Sequence, residues 1–359
     1  KHRGWVLWGT AAMTAASIWA AAGVRVETNL LEFFKENAPV RISLDFVEKK
    51  MSGVSTLDVW FEADKEDAFR EPENLKLIEE VQEKIGALKG VDKTLSAVDF
   101  MKEMNESFNN EDKRFYRVPE SREMVSQYLL IYDSDEMENL VNPSYDQARI
   151  SVRMAVHGSR DQKGIAEKVK EILEGAKRPG VKARVTGRAI RDVNTIEALV
   201  NGQIYSLAMA AGVISLIMFA VLRSASVAFL SMLPNIFPII LNFGIMGAAG
   251  ISLDTGTALI SAVALGIAVD DTIHLLTGYL EGRKAGLAGT EAMILSMKTR
   301  GRAVISSSVI LCIGFGVMAA SRFVPTMHFG ILSAVIMITA LVGDVVLLPA
   351  LIFRKEVQN

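Results

Sequence analysis

The sequence predicts a membrane-embedded α-helical bundle of six spans with an α+β domain inserted between the first and the second. Three observations carry this. The 359-residue chain is half hydrophobic with a mean hydropathy of +0.27, and its apolar residues are gathered into runs. Six runs, at about 5–23, 201–222, 225–250, 255–280, 303–321 and 327–353, can cross a hydrocarbon layer of roughly 30 Å, which takes about 20 helical residues. Between the first two lies a charged segment unsuited to lipid. The chain therefore divides into a first transmembrane helix (1–24), a water-facing domain (25–200) and a five-helix bundle (201–359).

The first span opens on KHRG and continues as an apolar run without a small-x-small cleavage site, so it reads as an anchor. The chain begins at Lys1 rather than Met, and a further segment upstream is expected. Orientation follows from the basic residues of the short connections. Lys1, Arg3, Arg223, Arg283, Lys284, Lys298, Arg300, Arg302, Arg354 and Lys355 fall on one side, and only Arg322 on the other. The first side is then cytoplasmic and the large domain faces outward.

Residues 25–200 carry 34 acidic and 28 basic groups, a mildly acidic balance that argues against a nucleic-acid partner. Strands are expected at 54–62, 91–97, 147–156 and 181–186. Within 147–156, Ala148, Ile150, Val152, Met154 and Val156 alternate with Arg149, Ser151 and Arg153. Helices are expected at 73–89 and 161–176, where Ile78, Val81, Ile85 and Ile165, Val169, Ile172 recur at helical spacing. The order is strand–helix–strand, an insertion at 98–146 with helices at 98–108 and 121–132, then strand–helix–strand. That is the ferredoxin-like split βαβ pattern. After Gly187 no breaker occurs before the second span, which predicts one long helix over 188–222, a strut able to carry motion from membrane to domain. His157 reads as a solitary strand histidine, and the acid-rich runs 64–73 and 133–138 as solvated loops.

The fourth span holds the chemistry. Thr255–Leu280 carries no charge except the adjacent Asp270 and Asp271. A charge at the centre of a membrane helix costs roughly 2.5–3.5 kcal/mol on insertion scales, and intramembrane carboxylates mark ion or proton pathways. Ala258, Ala262, Gly266 and Asp270 recur every four residues, a small-residue stripe expected to carry Asp270 into a helix interface. His274 follows one turn later, within reach of either acid. Asp344 in the sixth span is a further acid, and Ser306–Ser308, Asn235 and Asn242 are candidate partners. Pro234 and Pro238 should bend the third span and free backbone carbonyls. No Lys or Arg is expected at membrane depth. The only cysteine, Cys312, permits neither an intrachain disulfide nor a Cys-based metal site, and no cofactor is expected.

These pieces resemble half of a resistance–nodulation–division (RND) transporter, in the MMPL-like exporter branch. The resemblance rests on Gly266–Asp270–Asp271 (a GxxxDD pattern shared with Patched and sterol-sensing proteins), LPNIFPI in the third span, ALGIAVDDTIHLL, and the D-x4-PAL ending from Asp344 to Leu351. It covers essentially the whole chain, and LVNPSYDQARISVRM is similar to the outer domain of a C-terminal half. It implies a porter-type periplasmic domain, an inner-membrane location, a second half or like protomer, and surrounding lipid. It also implies a proton relay through Asp270, Asp271, Asp344 and His274, and hydrophobic or amphipathic cargo such as lipids or drugs.

The leading expectation is therefore export driven by the proton-motive force. The alternative is a non-transporting accessory, a sterol-sensing-like or protein-translocation helper. An enzyme is not expected. Gly343-Asp344 and Pro349-Ala350-Leu351 share one span, whereas intramembrane aspartyl proteases divide their motifs between two, and no GxxxxGK[ST] phosphate loop occurs.

Overall fold

In the computed structural model, which describes residues 3–29, 31–131, 135–223 and 225–356, the chain separates into two units. One comprises Asn29–Glu32 and Glu36–Thr195, the other Lys1–Thr28, Phe33–Lys35 and Ile196–Asn359. Helix α1 (Arg3–Ala21) opens the chain. The polar unit then runs α2 (Pro39–Lys50), β1 (Ser55–Ala63), α3 (Pro72–Gly86), β2 (Val91–Leu95), α4 (Ala97–Phe108), α5 (Arg122–Ile131), β3 (Gln147–Met154), α6 (Ser159–Gly175) and β4 (Val181–Thr186).

The four strands form one antiparallel sheet in the order β2-β3-β1-β4. Leu57 pairs with Val152 and Val59 with Ile150, so the apolar sets of both central strands share a face. On that face Leu57, Val59, Phe61, Ile150, Val152 and Met154 are buried against Ile78, Val81 and Ile85 of α3 and Val169 of α6. A period of two meeting a period of 3.6 closes this core. The other face carries Asp58, Arg149 and Arg153. A capping box starts α4: the Ser96 hydroxyl accepts from the Val98 amide and Asp99 accepts from the Ser96 amide. Gly187, at φ +101°, turns β4 into the next helix where a Cβ would lie 2.9 Å from the Asp58 amide nitrogen.

Two local expectations need correction. His157 lies beyond the end of β3 and is not solitary. Its Nε2 is 2.8 Å from Glu48 Oε1 and its Nδ1 is 3.4 Å from Ser55 Oγ, beside a cavity of about 160 Å³. The run 64–73 is not only solvated loop, because Phe69 is buried in the core and α3 begins at Pro72. In the run 133–138, positions 133 and 134 lie outside the described residues, and Asp135–Glu138 forms a short helical turn.

Helix α7 (Arg188–Leu222) begins in the polar unit, and the apolar unit contains it from Ile196 onward together with α8 (Ala225–Ala249), α9 (Ile260–Lys284), α10 (Gly289–Met318), α11 (Val324–Val342), a π-helical turn (Gly343–Leu347) and α12 (Leu348–Glu356). Among the described residues five helical stretches are long and apolar enough to cross a membrane: Arg188–Leu222, Val227–Ala249, Gly256–Lys284, Gly289–Met318 and Val324–Ile352. Helix α1 is not among them, because Trp5, Trp8 and Trp19 together with its Gly, Thr and Ser residues dilute its apolar content. It packs closely on α8 all the same. A Cβ at Gly247 would lie 1.9 Å from the Ala20 carbonyl oxygen, and one at Gly244 2.7 Å from the Ser17 Cα. Large apolar side chains such as Met209, Leu216, Ile310, Ile313 and Val317 point outward, an arrangement suited to lipid rather than water.

Helix α7 is unbroken for 35 residues, as the missing breaker predicts. Helix α10 starts at Gly289, well before the predicted 303. Lys298, Arg300 and Arg302 therefore lie on the helix itself, where long basic side chains can keep their heads at its polar end.

Candidate functional site

Helix α9 places its adjacent aspartates on different faces, since successive residues turn about 100°. Ala264, Leu265, Ala268, Asp271, Thr272 and Leu275 are buried. The small side chains Ala264 and Ala268 let neighbouring helices approach on this side. Asp271 accepts hydrogen bonds from Ser308 Oγ at 2.9 Å and Ser307 Oγ at 3.4 Å, both on α10. Ser307 also donates to the Val304 carbonyl at 2.9 Å, which leaves Ser308 as the dedicated partner.

The stripe of small residues does not do what its spacing predicts. Nothing lies within 4 Å of a Cβ built on Gly266, and Asp270 is exposed rather than packed. Residues four apart drift 40° around a 3.6-residue helix, so the stripe leaves the buried face before it reaches Asp270. Ala258 is buried and Ala262 half-buried, while Asp270 and His274 face out together with His274 Nε2 3.6 Å from Asp270 Oδ1.

The second acid of the interior is Asp344, which is 1% exposed. It sits in the π-helical turn, where a widened ladder carries its side chain inward; such turns are frequent at functional sites. Gly343 allows this approach, because a Cβ there would be 2.9 Å from the Pro234 carbonyl oxygen of α8. Asp344 Oδ1 accepts from Thr272 Oγ1 at 2.5 Å, and Thr272 Oγ1 lies 3.1 Å from Asn235 Oδ1. Asp344 Oδ2 has no hydrogen-bond partner among the described residues. Asp271 is close enough to act on Asp344 electrostatically.

Of the sequence-predicted residues, Asp271 and Asp344 thus lie within electrostatic reach, Asp271 with Ser307 and Ser308 as partners and Asp344 connected through Thr272 to Asn235. Asp270 and His274 form a separate outward pair. Asn242 is buried, and its Oδ1 has no hydrogen-bond partner among the described residues. Thr272 escaped the motif reading, although the helical period that buries Ala268 and Asp271 also buries Thr272. Arg300 escaped as well. Its guanidinium bonds Thr277 Oγ1 at 2.5 Å, the His274 carbonyl at 3.2 Å and Glu281 at 2.5 Å, tying α10 to the basic end of α9. Among the described residues no group of three or more His, Cys, Asp or Glu is placed to hold a metal ion.

Membrane-length helices with an apolar outer surface and carboxylates at mid-helix define an integral membrane protein of the helical-bundle class. The chain belongs to the MMPL family, whose sequence profile matches residues 38–354. It is 23% identical over 347 residues to a protein of Methanocaldococcus jannaschii described as a membrane protein, covering 94% of this chain and 87% of the relative. It is 28% identical over 181 residues to the multidrug resistance protein MdtC of Erwinia amylovora, covering 50% of this chain and 18% of that protein. A match to a Streptomyces coelicolor protein, also described as a membrane protein, is 31% identical over 110 residues and covers 30% and 16%. The matches thus span most of the first relative and under a fifth of the other two. At family level the chain stands with RND-type transporters.

Proposed function

We propose that this chain is one half of an exporter driven by the proton-motive force, moving hydrophobic or amphipathic molecules of the lipid or drug class. The observation that carries the reading is a pair of buried acids inside an apolar bundle: Asp271, bonded by Ser308, and Asp344, bonded by Thr272, the residue next to Asp271 in the chain. Carboxylates in a water-excluded interior have little purpose unless their charge changes during a cycle. Asp270, Asp271, Asp344 and His274 form the relay in this reading. The outward face of Gly266, Asp270 and His274 is where a second half or like protomer closes the site.

Helix α1 is the first of six spans, with domains at 1–24, 25–200 and 201–359. The strand order β2-β3-β1-β4, with α3 and α6 as crossover helices, supports a ferredoxin-like outer domain of the porter type. The basic cytoplasmic loops support an inner-membrane protein with that domain in the periplasm. The unbroken α7 supports its role as a strut.

The test is export from membrane vesicles carrying the complete transporter and an imposed pH gradient. Export should stop in the Asp270→Asn, Asp271→Asn double variant while membrane insertion persists. Gradient-dependent export at the normal rate by that variant would rule out the relay. A normal cellular phenotype without either acid would instead favour the non-transporting accessory role.

A further inference from the structure

A shortage of hydrogens around Thr272 distinguishes the two buried acids. Three acceptors converge on the single hydroxyl proton of Thr272: Asp344 Oδ1 at 2.5 Å, Asn235 Oδ1 at 3.1 Å and the Ala268 carbonyl at 3.3 Å. The Asn235 amide is oriented by its own donation, Nδ2 to the Ser231 carbonyl at 2.8 Å, which leaves its oxygen toward Thr272. Thr272, Asn235, Ser231 and Asp344 are each at most 1% exposed, so bulk solvent does not reach this cluster. If Asp344 were ionised, Thr272 would spend its hydrogen on that carboxylate. Asn235 Oδ1 would then lack a donor, and Asp344 Oδ2 would be an anionic oxygen buried without a partner. A buried charge left unpaired is far more costly than a neutral acceptor left unpaired.

A neutral Asp344 removes the conflict. Its hydrogen goes to Thr272 Oγ1, the Thr272 hydrogen goes to Asn235 Oδ1, and the Asn235 amide continues to Ser231. Every donor in the string then points the same way, from α9 and the π-helical turn into α8. Asp271 has the opposite surroundings. It accepts from Ser308 and lies next to Ser307, a donor set that suits a carboxylate. Among the described residues Asp271 is the ionisable group that acts electrostatically on Asp344. Helix α8 has no ionisable residue, α1 has only Arg3 at its start, and α11 has only His328, more than four turns away.

We infer that Asp344 is the carboxyl on which the proton resides, that Thr272 and Asn235 are positioning residues holding it in its neutral form, and that Asp271 is its charged counterpart. The role of that proton in transport rests on the reading proposed above, but its location does not.

The experiment is infrared spectroscopy of the full chain in lipid membranes at neutral pH, reading the C=O stretch of a protonated carboxylic acid. The band should be present in the natural sequence and lost in Asp344→Asn. Thr272→Val should move it to the position of an acid without an acceptor, and Thr272→Ser should restore it. A band that survives Asp344→Asn, or is lost only in Asp271→Asn, overturns the inference. If Asp344→Asn does not fold, an unmoved band in Thr272→Val overturns it equally. Loss of gradient-dependent export as a property of the natural protein, with the band assigned to Asp344, would sink the exporter reading and leave this one standing. Gradient-driven export with no such band would do the reverse.

Discussion

Asp270 and Asp271 are neighbours in sequence and strangers in environment: the Asp271 residue is 9% exposed beside Ser308, while the Asp270 side chain is 73% exposed beside His274. The pair is therefore two sites, and the two substitutions should behave differently. Asp271→Leu strands the Ser308 hydroxyl and should destabilise the solubilised chain by about 1–3 kcal/mol, the usual penalty of an unsatisfied buried group. Asp270→Leu removes nothing packed and should stay within about 0.5 kcal/mol. Thermal unfolding in detergent reads both, and equal losses would contradict the divergent faces.

Two glycines should divide in the same way. Gly247 faces the Ala20 backbone, so Gly247→Ala forces α1 and α8 apart and should cost about 1–3 kcal/mol, as overpacking does. Gly266 has open space, and Gly266→Ala should leave the isolated chain unchanged or slightly more stable. Gly266→Trp should still fold as a single chain but fail to associate with a partner half in a pull-down. Retained association would place the partner elsewhere.

Asp58 offers a pH dependence in the polar unit. Burial raises its carboxyl above the usual 3.8, and Arg149, 3.9 Å away, only partly offsets this. Ionised Asp58 is thus less comfortable folded than unfolded. Its destabilising share is present at neutral pH and disappears as pH falls through the raised value. Asp58→Asn should accordingly raise the unfolding midpoint at pH 7, with a gain that shrinks on acidification. A lower midpoint at pH 7 would show that the Arg149 contact outweighs desolvation.

Much of the polar unit was legible because local pattern and tertiary need coincide there. The alternation from Ala148 to Met154 is the buried face of β3, and the recurrence of Ile78, Val81 and Ile85 is the buried face of α3. The start of α10 was not legible. Its first turns are polar enough to read as loop, yet nothing between Gly289 and Met318 breaks a helix, so the backbone continues. The partnership of Glu48 with His157, 109 residues apart, had no local signal at all.

By itself the sequence determined the membrane-length runs, the strand and helix order, and the presence of carboxylates where lipid tolerates few, because hydrophobicity and periodicity are properties of neighbouring residues. Which carboxylate is buried was decided only by the tertiary structure. The face that α9 turns inward depends on where α8, α10 and α11 pack, and that selects Asp271 over Asp270. The meeting of Asp344 with Thr272 and Asn235 depends further on a π-helical turn against the Pro234 carbonyl, a contact between segments more than 100 residues apart.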